Sequence, residues 1–240
     1  RDALPQMRRE IVRLGPDERD KPAAMAGEIR QAWRTGGTSL LEALLMQAAS
    51  QKHTYLVERT IAAMKEGQKV VIFTGRRMDC DRLGEEMKKA LVRAGMETQS
   101  GLWVGHGGHG EAARTVMRQE YMVHPGPACL VGTGDAWGEG VNLQDTDLSL
   151  IAMLPWTPLQ VIQWDRFCRL GGKRKILMVY VTLDGVPVEY QVVAKLLDRL
   201  PPVSDVWDDE VAEEIGETLM GNYSPDELLA AVVADLRRGV

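Results

Sequence analysis

The chain has no phosphate-binding loop of the G-x-x-x-x-G-K-[ST] form. Its nearest approach, Gly171-Gly172-Lys173, follows a helix-length segment and is followed by Arg174 instead of Ser or Thr. No acidic box of the D-E-x-H kind follows an apolar strand, and Asp208-Asp209-Glu210 lies in a polar tail. These 240 residues therefore lack the parts that would hold a nucleoside triphosphate and its Mg2+ unaided. Cysteine is scarce: Cys80, Cys129 and Cys168 are odd in number and show no close pairing. That argues against a disulfide framework and for a reducing compartment. No apolar run reaches the roughly 20 residues that a membrane-spanning helix needs, and no signal peptide opens the chain, so no membrane partner is expected. An excess of positive charge is also missing. Lys and Arg number 29 against 34 Asp and Glu, a net charge of −5. This excludes coating of nucleic acid by bulk charge but leaves a local basic patch open. Internal repeats and low-complexity segments are absent.

What is present suits an ordinary globular protein. The chain is 45% hydrophobic and 26% charged, enough to bury a full core. Its length allows one large domain with flanking helices. It begins at Arg1 without an initiator Met, which suggests a piece of something longer. Segment 1–66 reads as helical, with stretches near 4–14 and 23–33 and a longer run over 40–65 stopped by Gly67. From Lys69 the pattern alternates between strand and helix. Strands are expected at 70–73, 102–104, 129–131, 148–154 and 176–181. Helices are expected at 79–94, with Asp79 as cap and Gly95 as stop, and at 111–123, 159–169 and 187–200. The expected fold is α/β, a three-layer domain over 67–200 with a mostly parallel sheet, flanked by N-terminal and C-terminal helices. Pro201-Pro202 ends it. Residues 201–240 form an acidic helical tail, with nine Asp or Glu and no Lys or Arg between 201 and 230. The tail is read as a solvated appendage, with a docking surface for a basic partner as the alternative.

The stretch 128–181 carries most information. Two apolar runs frame a Gly-rich loop, and a helix-length segment bearing Arg166 and Arg169 follows. Arginines three apart share a helix face, and behind a Gly-rich loop at strand ends they can meet an anion. This points to phosphate chemistry at a site that the chain completes only in part.

Four blocks, in order, resemble the second RecA-like lobe of a superfamily-two helicase, and most closely the Swi/Snf-type DNA translocases. KVVIFTGRR (69–77) is similar to the opening strand and turn of that lobe. GLWVGHGGHGEAAR (101–114) is similar to the next strand, turn and helix. LVGTGDAWGEGVNLQDTDLSLIAMLPWTP (130–158) resembles the Gly-x-Gly-x-Asn-Leu to Trp-Asn-Pro block. QWDRFCRLGGKRKILMVYV (163–181) resembles the Gln to Asp-Arg-x-x-Arg-x-Gly-Gln block. The resemblance spans about residues 40–200. Some positions depart from it. Gly105-His106-Gly107 lacks the acidic residue of the usual turn, Asp135 stands where a basic residue is usual, and Gly172 replaces the final Gln.

The resemblance implies a C-terminal lobe that supplies Arg166 and Arg169 as arginine fingers, the catalytic residues of the chain. Gly138, Gly140, Asn142 and Gln163 would face ATP. Thr74, Gly75, Arg76, His106, Gly107, Thr133 and Trp156 would contact nucleic acid. The implied cofactors are ATP and Mg2+, held in the intact two-lobe enzyme and not bound tightly by this lobe alone. The implied partners are DNA, duplex by analogy, and an N-terminal RecA-like lobe of the same polypeptide. The location would be cytoplasmic or nucleoid-associated, or nuclear in a eukaryote. Two other readings stay open: a stand-alone, non-catalytic module that regulates a helicase or binds nucleic acid, and an unrelated nucleotide-binding α/β domain.

The rest of the chain reads more plainly. His106, His109 and His124 have no Cys or carboxylate at ligand spacing, so no metal site is expected and His106 and His109 read as solvent-exposed loop residues. Trp103 and Trp137 are read as packing residues, and the Leu- and Met-rich helix faces as core.

Overall fold

Residues 69–74 are a run of β-formers flanked by Gly67 and Gly75, and they form the buried strand on which the sheet is built. The structure is a computed structural model that describes residues 7–15, 48–137, 143–153 and 175–183. In chain order its elements are β1 (Met7–Leu14), α1 (His53–Lys65), β2 (Lys69–Thr74), α2 (Arg77–Arg93), β3 (Gly101–Gly105), α3 (Glu111–Val123), β4 (Ala128–Thr133), a 3-10 turn (Gly134–Ala136), β5 (Leu148–Ile151) and β6 (Ile176–Leu183). They make one six-stranded sheet ordered β1-β6-β5-β2-β4-β3. The pairings of β2 with β4, β2 with β5, β3 with β4 and β5 with β6 are all parallel. Central strands β2, β4 and β5 are buried along their whole length, as strands covered on both faces must be.

Adjacent residues of a strand point to opposite faces, and β3 shows what each face carries. Trp103 stacks edge-on against Tyr121 of α3 and donates from Nε1 to Glu120 at 2.8 Å. Val104 lies against Gly84 of α2, where a Cβ would press on its methyls. So α2 and α3 cover opposite faces. Helix α1 joins α2 through His53, completing the three layers of the expected α/β fold. Leu83, Met87 and Leu91, on the inner side of α2, are core residues as their spacing implies.

Helices α1 and α2 both stop at glycine. Gly67 and Gly95 adopt φ of +79° and +65°, where a side chain would be strained. Each allows the chain to fold back onto the last turn. Gln68 N–H reaches Ala63 O at 3.1 Å, and Met96 N–H reaches Leu91 O at 3.0 Å. At the amino edge of the sheet, Asp147 ties three strands together. Its carboxylate accepts from Lys69 N–H at 2.8 Å, its N–H reaches Lys69 O, and its carbonyl accepts from Leu177 N–H. Lys69 turns its ammonium into the end of α3, donating to Tyr121 O at 3.0 Å and Met122 O at 2.8 Å. A cation is stabilising at that pole of the helix dipole.

Four local expectations are corrected. Within segment 1–66, read as helical, Met7–Leu14 is a strand beside β6. Over eight residues the apolar spacing of 7, 11 and 14 fits a helix, but main-chain pairing offered by β6 outweighs that local preference. The run expected over 40–65 is interrupted: residues 48–51 are helical, Lys52 is a turn, and α1 begins at His53. Strand β5 ends at Ile151, short of 154. Asp79 does not cap α2. Arg76 occupies the N-cap in an extended conformation, and the Asp79 carboxylate is drawn to His53.

The chain divides into two compact units. The first comprises 1–12, 52–153 and 163–181, and it holds almost all described residues. The second comprises 13–51, 154–162 and 182–240; its described residues are the ends of β1 and β6, Gly15 and the helical stretch 48–51. The expected helices at 23–33, 159–169 and 187–200 and the acidic tail 201–240 lie outside the described residues.

Candidate nucleotide and nucleic-acid edge

Parallel strands in register end together, and ligands in open α/β sheets bind beyond those carboxyl ends. Thr74 of β2 pairs with Thr133 of β4, and Gly105 of β3 pairs with Gly132 of β4. Three segments far apart in sequence therefore meet at one edge: Thr74-Gly75-Arg76-Arg77, Gly105 to His109, and Thr133 to Trp137.

The glycines at this edge are dictated by packing. A Cβ on Gly105 or Gly132 would collide with the Trp137 indole, and one on Gly75 would collide with Met153 Sδ. Trp137 is buried across the two strand ends and donates from Nε1 to Gly105 O at 2.8 Å. It is a packing residue, as is Trp103.

The loop after β3 is braced by its own side chains. His106 Nδ1 accepts from Gly108 N–H at 3.0 Å. Its Nε2 therefore carries the proton and donates to Asp81 Oδ1 at 3.1 Å. His109 Nδ1 accepts from His106 N–H at 3.2 Å, and the two rings lie tilted with centroids 4.3 Å apart. Arg114 Nη1 holds His109 O at 3.1 Å. His106, expected in solvent, has a side chain only 13% exposed, because Asp81 reaches it from α2. Both of its ring nitrogens are engaged.

Of the other expected nucleic-acid contacts, Thr74 and Thr133 are buried at the strand ends, and the Thr74 hydroxyl is 3.4 Å from Gly132 O. Gly75 and Arg76 are half-buried, and Gly107 sits at the tip of the β3 loop. The structure adds Arg77, which the sequence reading passed over. Arg77 is exposed, and its guanidinium lies 3.3 Å from where a Cβ of Gly107 would stand. Its place as the second of two adjacent arginines at a helix start was the available signal. Arg166, Arg169, Gly138, Gly140, Asn142, Gln163 and Trp156 lie outside the described residues.

No family model matches the chain, and no curated protein is significantly similar to it in sequence. Solved structures are similar. Domain 2 of the DEAD-box helicase Mss116p, bound to an RNA duplex, matches with TM-score 0.52 and 14% identity over 79% of this chain and 73% of that one. The fold is a three-layer RecA-like α/β domain. E. coli SrmB, a DEAD-box protein bound to regulator of ribonuclease activity A, matches with TM-score 0.49 and 14% identity over 63% of this chain and 80% of that one. The C-terminal part of the Fun30 ATPase domain matches with TM-score 0.44 and 20% identity over 63% of this chain. The match spans 46% of that Fun30 structure, so less than half its length. At such identities the likeness is one of fold.

Two buried basic groups of the domain had no sequence signal at all. Lys52 is fully buried and donates to Ala152 O at 2.6 Å, just past the end of β5. His53 is buried between two carboxylates, with Nε2 2.8 Å from Asp79 and Nδ1 3.1 Å from Glu86. Burial alone would lower the His53 pKa, but the hydrogen bonds and charges of Asp79 and Glu86 outweigh it and raise the pKa above 6.5. Cys80 and Cys129 are inert by contrast. Burial pushes the Cys80 thiol up to about 12 and raises Cys129 further. Among the described residues no three His, Cys, Asp or Glu side chains cluster to hold a metal, and no helix is long and apolar enough to cross a membrane.

Proposed function

We propose that this chain is the C-terminal lobe of an ATP-driven DNA translocase of Swi/Snf type. It closes on an ATP site that an N-terminal RecA-like lobe of the same polypeptide completes. The supporting observation is the shared carboxyl edge of β2, β4 and β3, where the described parts of three of the four helicase-like blocks come together around Arg76, Arg77 and the Gly107 turn. Exposed guanidinium and loop amides suit the phosphate oxygens of a nucleic-acid backbone. The chain has neither a phosphate loop nor an acidic strand-end box, so in this reading Mg2+ would be held by the other lobe. Bound ATP supplies a γ-phosphate on which charge builds during transfer. Arg166 and Arg169 neutralise that charge, a role worth several powers of ten in turnover where it has been measured. By the same resemblance Gly138, Gly140, Asn142 and Gln163 would face the nucleotide. Lobe closure and opening then step the protein along its track.

RNA is the second reading. It is favoured by the RNA duplex in the Mss116p structure, which has the highest TM-score of the three reported. The test is the nucleic-acid-stimulated ATPase rate of the full-length gene product and its Arg169→Ala variant, assayed with DNA and with RNA. The expected outcome is stimulation by duplex DNA and a fall of about 10³-fold or more in the variant, with binding retained. Stimulation by RNA alone would move the substrate to the second reading. An unchanged rate in Arg169→Ala would defeat the finger assignment, and a full-length product without ATPase would leave a regulatory module.

A further inference from the structure

Among the described strands β3 ends the sheet, and its outer edge adjoins a groove of about 650 Å³ walled by α2. Gly101 N–H donates inward to Pro127 O at 3.0 Å. Main-chain groups of a parallel strand alternate in direction, so those of Leu102 and Val104 point away from β4, to the open edge. The side chains of Leu102 and Val104 are half-buried and floor the groove. Gly84 lets α2 approach Val104 closely. The facing wall of α2 presents Asp81, Glu85, Lys88 and Val92 at i, i+4, i+7 and i+11, one helix face and all exposed. Glu97 closes the far end. Beside it, Ser100 Oγ is buried without a hydrogen-bond partner among the described residues.

We propose that this edge and groove dock an extended basic segment of a partner protein, which adds to β3 as a further strand. Main-chain bonds to Leu102 and Val104 would hold it, and alternate side chains would enter the groove. Charge selects the occupant. Three carboxylates face one ammonium, so basic side chains opposite Asp81, Glu85 and Glu97 are favoured, with a small apolar one opposite Val92. Asp81 already accepts from His106, which leaves Glu85 and Glu97 as the main charge anchors. A second copy pairing edge to edge would set the same carboxylates against each other. The acidic stretch 201–230 of this chain and any nucleic acid are disfavoured by the same sign.

The test uses the full chain and a short fluorescent peptide that alternates Arg and Val on one side with Thr on the other. An otherwise identical peptide with Glu in place of Arg is the control. Fluorescence anisotropy should show binding of the Arg peptide and none of the Glu peptide. Glu85→Lys with Glu97→Lys, both at exposed positions, should weaken binding by about tenfold or more. Hydrogen exchange should slow at the Leu102 and Val104 amides when peptide is bound, which a purely electrostatic contact would not cause. No binding at about millimolar peptide, equal binding of the Glu peptide, equal affinity in the double variant, or unchanged exchange at Leu102 and Val104 would each overturn the proposal.

Discussion

Replacing His53 with Ala tests the buried ion cluster that joins α1 to α2. His53 is 3% exposed, and its ring nitrogens lie 2.8 Å from Asp79 and 3.1 Å from Glu86. Asp79 Oδ2 is already buried without a partner among the described residues. Removing the imidazole takes away the partner of Oδ1 as well and leaves a carboxylate in the core. Breaking a buried pair from one side costs about 3–5 kcal/mol. For a chain of this size each kcal/mol shifts the melting temperature by about 2–4 °C, so a fall of about 6–20 °C is expected. The pH dependence carries the sign. The folded pKa of His53 is raised above 6.5, so its ion-pair contribution is fully present below pH 6.5 and is lost as pH rises through the folded value. Thermal or urea unfolding of wild type and His53→Ala, followed from about pH 6 to pH 9, should show a gap that is widest at the acid end. A gap that is constant or widens towards alkaline pH would mean that His53 is neutral in the fold, and the charge argument would fail.

Gly132→Ala drives a methyl into the Trp137 indole and strains its bond to Gly105 O. Chemical denaturation should show a loss of about 1–3 kcal/mol, whereas wild-type stability would show that Trp137 moves aside freely. Because burial holds the Cys80 thiol near 12 and Cys129 higher still, neither should react with a thiol reagent at neutral pH until the chain unfolds. Peptide mapping of the alkylated native protein would reveal either cysteine if that account is wrong.

Where an element is held by patterns a few residues long, the sequence is a good guide. Strands β2, β3 and β4 announce themselves as apolar β-rich runs, and Gly67 and Gly95 mark helix ends because only glycine accepts that backbone without strain. Helix Glu111–Val123 ends where the His-Pro-Gly-Pro breaker begins. The assembly of Thr74 to Arg77, Gly105 to His109 and Thr133 to Trp137 on one edge also follows, once the sheet is read as parallel. Met7–Leu14 was misread because eight residues fit either period, and its strand partner lies more than 160 positions away.

Features that depend on two distant segments were not legible in the same way. Asp81 encloses His106, and Arg77 leans on Gly107, because α2 and the β3 loop meet above the sheet. Lys52 and His53 look like surface residues in a polar helix, yet both are buried and paired, with Ala152 just past β5 and with carboxylates of α2. The sequence by itself determined the alternation of strand and helix, the glycine stops and the order of the helicase-like blocks, since each rests on local backbone preference or short-range period. Only the tertiary structure decided which edge of the sheet stays open, which charges are buried and which histidine holds a raised pKa. Those depend on desolvation and on contacts between residues that the chain order keeps apart.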